Sequence, residues 1–104
     1  MYELHITAPA EQDLEGIIAY QAEKLKNPEA ATAFLDRLEE VYAYLRKNPY
    51  IYAKCRDSVL EKAGYRTAQV KKYLLVYRII DEVVIVYRFF HGTQAYTKVL
   101  GGDR

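Results

Sequence analysis

Polar and apolar positions alternate at the start of the chain. Tyr2, Leu4 and Ile6 fall on one side of an extended backbone and Glu3, His5 and Thr7 on the other, the two-residue period of a half-buried strand. At Ala8-Pro9 the period changes. Proline suits a first helical turn, where its missing N–H has no acceptor to serve, and Glu11, Asp13 and Glu15 complement the positive end of the helix dipole. Leu14, Ile17, Ile18, Ala22 and Leu25 then form an apolar stripe at helical spacing. Asn27-Pro28 supplies an N-cap and a first residue for a second helix, whose stripe runs through Ala31, Phe34, Leu35, Leu38, Val41, Tyr42 and Leu45 until Asn48-Pro49 ends it. Two amphipathic helices joined this tightly predict an antiparallel hairpin.

Tyr50 to Ala63 shows no clear period, and Arg56, Asp57, Ser58 and Gly64 indicate a connecting loop with at most a short strand or turn. Beyond it, Tyr65 to Lys72, Tyr73 to Ile80 and Val83 to Phe90 are rich in β-branched and aromatic residues, with Asp81-Glu82 separating the last two by the length of a hairpin loop. A short extension over Gln94 to Leu100 and a polar end follow. The predicted fold is α+β: an N-terminal strand, an antiparallel helix hairpin, then a three-stranded antiparallel sheet, all in one domain over residues 1–104. The segments Tyr73 to Tyr77 and Val83 to Tyr87 are apolar at nearly every position, whereas a strand with one wet face should alternate. Two helices cover one side of such a sheet. The other side is either a deep site, a docking surface for another chain, or simply more core in a curved sheet.

Composition adds limits rather than a function. Hydrophobic residues make up 51% and charged residues 28% of the 104 residues, with five Gly and three Pro, the profile of a packed globular chain. The apolar runs are cut at Arg78 and Arg88, too short to span a bilayer, and the N-terminus carries Glu3 and His5 where a secretory signal would be apolar, so a cytoplasmic protein without membrane association is expected. Cys55 has no second cysteine to pair with, and with only His5 and His91 beside it no metal-ligand spacing arises, so no cofactor is expected. The net charge of +1 conceals a division: residues 1–49 carry net −4 and residues 50–104 net +5. A basic half of this kind suits an anionic partner, whether nucleic acid or an acidic protein.

The order strand, helix, helix, three strands, with a basic aromatic ending, resembles the RelE/ParE superfamily of type II toxins, of the plasmid-stabilisation type. The resemblance rests on Tyr73-Leu74-Leu75-Val76-Tyr77-Arg78-Ile79 followed by Arg88-Phe89-Phe90-His91-Gly92, with Tyr96 near the place of the family's final tyrosine and Tyr65-Arg66 at the aromatic-basic start of the preceding strand. It implies a growth-inhibiting toxin held inactive by a cognate antitoxin that wraps a segment over it, in a toxin–antitoxin hetero-oligomer or a homodimer. Such a segment would also cover the second apolar face of the sheet.

The superfamily divides by target. RelE-like members cut messenger RNA on the ribosome, and ParE-like members inhibit DNA gyrase. RNA cleavage needs a base for the 2′-hydroxyl proton, cations for the developing phosphate charge and an acid for the leaving oxygen. By resemblance the catalytic set would be Arg66, Arg78 and Arg88 for charge, with His91 and Tyr96 for proton transfer or base stacking. Leu74 stands where the nucleases carry an arginine, Ala68 departs from their paired lysines, and the ending is closer to the ParE pattern even with Thr93 and Ala95 in place of its usual charges. The resemblance therefore leans to a gyrase inhibitor, with the ribosome-dependent mRNA endoribonuclease, or a toxin that retains only antitoxin binding, as the alternatives.

The same residues have structural readings. Arg78 and Arg88 interrupt apolar strands and must reach solvent, a ligand or an acid, with Asp36 and Glu40 of the second helix as candidate partners. His91 beside Gly92 suits a hydrogen-bonded strand end as well as a proton-transfer group. Whether Arg78 and Arg88 share a face depends on the hairpin loop: two residues separate them, three bring them together.

Overall fold

Thr7 decides where the first strand stops and the first helix begins. Its N–H still belongs to the sheet, donating to the Val86 carbonyl at 3.0 Å, while its side-chain oxygen accepts from Ala10 N at 3.2 Å and donates to the Tyr87 carbonyl at 2.8 Å. A threonine cap is worth about 1 kcal/mol to the helix it starts. Here it also ties that helix to the sheet.

The structure, a computed structural model, describes residues 1–55 and 58–92. Along the chain they form β1 (Glu3–Ile6), α1 (Ala8–Ala19), a π-helical turn (Tyr20–Lys24), α2 (Pro28–Lys47), a 3₁₀ turn (Pro49–Ile51), α3 (Ser58–Lys62), β2 (Arg66–Val70), β3 (Tyr73–Ile80) and β4 (Val83–His91). The strand order is β1-β4-β3-β2, with β1 parallel to β4 and the other pairs antiparallel. This is the expected α+β architecture, with the N-terminal strand added to the edge of the three-stranded sheet. Asn27 caps α2 as predicted, its side-chain oxygen accepting from Ala30 N at 3.1 Å. The extension expected over Gln94 to Leu100 lies outside the described residues.

The helices lie on one face of the sheet, α1 against β4 and α2 over β1 and β2. Phe34, Leu38, Val41 and Leu45 of α2 and Ala10 and Ile17 of α1 are buried against Ala68 and Val70 of β2, Leu75 and Tyr77 of β3, and Val84, Val86 and Phe89 of β4. Every second residue of the strands therefore serves this core, as the pleat requires. The opposite face carries the remaining residues of β3 and β4. Two of them, Val76 and Phe90, are as deeply buried as the core, and so are Cys55 and, in α3, Leu60, all four outside the helix-side cluster. The doubly apolar strands thus have core on both sides along part of their length.

Three local features depart from the sequence expectations. A helical turn, α3, occupies a stretch expected to be loop. The first helix does not continue regularly to Leu25. It passes into a π turn, whose wider winding shifts every later residue around the axis, and Gln21 is buried while Leu25 is 54% exposed. The third departure is in β4. Ile80 pairs with Val83, so the hairpin loop is the two-residue Asp81-Glu82. An unbroken ladder would then put Arg88 opposite Leu75 and on the other face from Arg78. A bulge intervenes: Tyr77 pairs with Val86 and Val76 with Arg88, leaving Tyr87 as the extra residue. The bulge returns Arg88 to the register of Arg78's face, as a diagonal neighbour about 7–8 Å away between backbones.

Candidate functional site at the open edge of β4

β1 pairs only with Val83 to Val86, so the second half of β4 has no strand beside it. α1 lies there instead, and Asp13 replaces the missing strand. Its carboxylate accepts from Phe89 N at 3.0 Å, and from Arg88 Nε at 2.7 Å and Nη2 at 3.1 Å. One side chain thereby closes an exposed backbone donor and a two-point ion pair at the same place. The Asp13 hydrogen bond raises the Arg88 pKa above its already high ordinary value, so Arg88 is charged at any accessible pH. Its guanidinium also lies 5.4 Å from the Phe90 ring centroid. The carboxylate partner is on α1, and neither Asp36 nor Glu40 fills the role; Glu40 pairs instead with Arg37 at 3.5 Å.

A cleft of about 340 Å³ opens between α1 and this edge, with Asp13, Tyr20, Tyr73, Arg88 and His91 among its walls. His91 is exposed at the end of β4, opposite Tyr73 in register and edge-on to its ring at 5.4 Å. A second groove, of about 670 Å³, adjoins the first and shares Tyr20, Tyr73 and His91 with it.

The other two arginines lie elsewhere. Arg66 opens β2 and donates to the backbone carbonyls of Tyr52 at 2.6 Å and Tyr50 at 3.5 Å, with its guanidinium 5.1 Å from the Tyr50 ring centroid. Close by, Tyr77, fully buried, donates to the Pro49 carbonyl at 2.6 Å, and burial pushes its phenol pKa upward. Arg66 and Tyr77 together fasten the 3₁₀ turn to the sheet. Arg78 lies on the sheet face away from the helices. Its guanidinium stands 5.3 Å from the Tyr65 ring centroid, and Tyr65 packs edge-on against Tyr87 at 5.4 Å. Among the described residues no carboxylate is within ion-pair distance of Arg78.

The four described sequence candidates do not converge. Arg88 and His91 reach one cleft from opposite registers of β4, Arg78 lies on the far face and Arg66 on the edge strand β2, while Tyr96 lies outside the described residues. Sequence reasoning passed over Asp13 as more than a dipole partner. Its one visible signal was an acid in the first helix, which nothing local connects to position 88. Among the described residues no three His, Cys, Asp or Glu side chains gather closely enough to hold a metal ion, and no helix is long and apolar enough to cross a membrane.

Against this geometry, a family model described as the ParE toxin of the type II toxin-antitoxin system parDE matches residues 4–96. The chain belongs to the ParE toxin family. Its fold matches a chain of the chromosomal ParDE toxin–antitoxin system of P. aeruginosa with a TM-score of 0.69 at 22% identity, covering 88% of this chain and 96% of that one. It likewise matches a chain of the RelBE2 complex of Mycobacterium tuberculosis with a TM-score of 0.60 at 24% identity, covering 86% and 96%. YafQ of E. coli gives a TM-score of 0.56 at 18% identity, covering 88% and 93%. These likenesses establish the fold, shared by ParE-like and RelE-like toxins. No curated protein sequence matches the chain. This ParE-family chain is accordingly a type II toxin of the RelE/ParE superfamily.

Proposed function

We propose that this toxin acts by binding a protein target, DNA gyrase, and that a cognate antitoxin neutralises it. The observation that carries the reading is the engagement of its arginines. Arg66 is held by two backbone carbonyls and Arg88 by Asp13, so neither is free to neutralise a phosphate without breaking a structural contact. An RNA-cleaving site needs its cations and proton-transfer groups around one phosphate, and here Arg78 and His91 sit on opposite faces in register. What the far face presents is Arg78 beside Tyr65 and Tyr87, the arginine–tyrosine composition that dominates protein-binding hot spots. On this reading Arg78 is the anchor toward gyrase, and Arg66 and Arg88 maintain the surface that carries it.

The antitoxin partner follows from family membership and from the kind of assembly seen in the P. aeruginosa and M. tuberculosis relatives. The test is direct. Purified chain added to gyrase stops supercoiling, Arg78→Ala weakens the inhibition by an order of magnitude or so with folding intact, and message on translating ribosomes stays uncut. Unimpaired supercoiling at a molar excess of folded chain removes gyrase as the target. Cleaved message that disappears in Arg78→Ala transfers the protein to the ribonuclease branch.

A further inference from the structure

On the sheet face away from the helices, burial gives out toward the β3–β4 turn. Val76 of β3 is fully buried, whereas Ile80 is 40% exposed and Val83, its partner in register, is half-buried. The row they form runs on to Glu3 at the solvated rim of β1. Charges of opposite sign flank this apolar pair. Arg78 lies two residues before Ile80, about 7 Å back along β3, and the exposed Asp81 and Glu82 form the turn on the other side. Among the described residues neither acid is in an ion pair, and Arg78 has the Tyr65 ring beside it but no carboxylate.

A pattern of cation, apolar centre and acids is its own complement. A half-turn about an axis lying across the strands through Ile80 and Val83 lays the apolar pair on its own copy and exchanges the two charged ends. We infer that the far face pairs with a second copy of this chain in a two-fold dimer, with Ile80 and Val83 at its centre and Arg78 of each protomer opposite Asp81 and Glu82 of the other. A different partner would have to bring acid, apolar surface and base in the reverse order, and a second copy carries them already. The apolar centre supplies the burial, and the opposed charges fix the register. The two Glu3 carboxylates approach only at the rim, where water and salt screen them. The patch covers only the turn end of the sheet, less than a standard stable interface, so the dimer is weak, with a dissociation constant on the order of 10 µM. On the gyrase reading above, on which this consequence alone rests, the dimer masks the Arg78 anchor and the monomer is the inhibiting form.

Sedimentation of the purified chain over about 1–200 µM is expected to show monomer passing into dimer. Two charge-reversed variants locate the contact. Arg78→Glu sets acid against acid, and Asp81→Asn/Glu82→Lys sets base against base, asparagine being suited to the φ of 56° at position 81. Each folded variant alone dimerises about tenfold more weakly or worse. Mixed in equal amounts they form a heterodimer in which both contacts join opposite charges, and association returns to within about threefold of wild type. That recovery separates a contact between chains from a defect within either one. Wild type that stays monomeric throughout the range overturns the pairing and leaves the face to gyrase alone. Dimer that persists in either variant alone, or a mixture that fails to recover, overturns it as well. Wild type that dimerises as described, yet leaves supercoiling untouched where it is monomeric, removes the gyrase reading and keeps the dimer.

Discussion

The two ends of the helix-covered face handle their polar groups in opposite ways. At the Pro49 end Tyr77 donates to the Pro49 carbonyl and Arg66 to those of Tyr50 and Tyr52, so the turn they hold is closed, and the exception on the way to it is the Tyr42 hydroxyl of α2, buried without a partner. At the tip of the helix hairpin Gln21 Oε1 has none, Tyr20 and Leu25 face water, and Lys71 and Lys72 stand exposed. Closed and open ends are thereby separated along one sheet. An arginine in a strand or an amide in a helix is not informative as a residue type; whether the fold already satisfies it is.

The largest expected effect tests whether the open end also bears structural load. Phe34→Ala removes a ring that is 1% exposed at the wall of the second groove, and large-to-small changes of this kind cost about 3–5 kcal/mol. Urea unfolding measures it; a loss near the bottom of that range indicates that the new space opens into the groove, and no loss would break the view of Phe34 as shared core. Next is the closed end. Tyr77→Phe leaves the Pro49 carbonyl without its buried donor and is expected to lower stability by about 1–3 kcal/mol. If instead the variant unfolds like wild type, the contrast between the ends fails.

Asp13→Ala comes third, at about 1–2 kcal/mol, because it uncovers the Phe89 N–H and releases a partly exposed Arg88. Faster hydrogen exchange at the Phe89 amide checks it, and protection equal to wild type would show that another group closes the edge. The smallest effect is on the alkaline side. Burial, with Glu11 adding to it, pushes the Tyr42 phenol up to about 12, and burial also raises Tyr77. A phenol whose folded pKa lies above the unfolded value near 10 supports the fold fully below that value. Its contribution is lost as pH climbs through the folded pKa. Burial raises Tyr52 as well, so phenolate absorbance followed through a pH titration should show at least Tyr42, Tyr52 and Tyr77 of the eleven tyrosines ionising late, with stability declining above pH of about 10. Ionisation of all eleven as one class near pH 10 contradicts the burial of these three.

Much of the fold was legible because it is encoded over short spans. The alternation from Tyr2 to Thr7, the cap at Asn27, the stripe of α2 and the hairpin turn at Asp81-Glu82 each depend on neighbours a few residues away. The candidate site was legible only as a set of residue types. Asp36 and Glu40 were as plausible as Asp13 for a partner to Arg88, since the ion pair joins residues 75 apart in sequence. Leu25 fitted the apolar stripe of the first helix until the π turn rotated it outward and Gln21 inward, a rewinding with no local sequence mark of its own.

From its residues alone, the chain determines its α+β order, its helix starts, its basic second half and its likeness to the RelE/ParE toxins, all of which follow from periodicity, capping chemistry and motif order. Tertiary structure alone decides which arginines are available. The bulge at Tyr87 places Arg88 in register with Arg78's face, α1 brings Asp13 to the open edge of β4, and the 3₁₀ turn claims Arg66. Side-chain charge is a property of the residue, but freedom to act on a partner depends on what the fold has placed within hydrogen-bond reach.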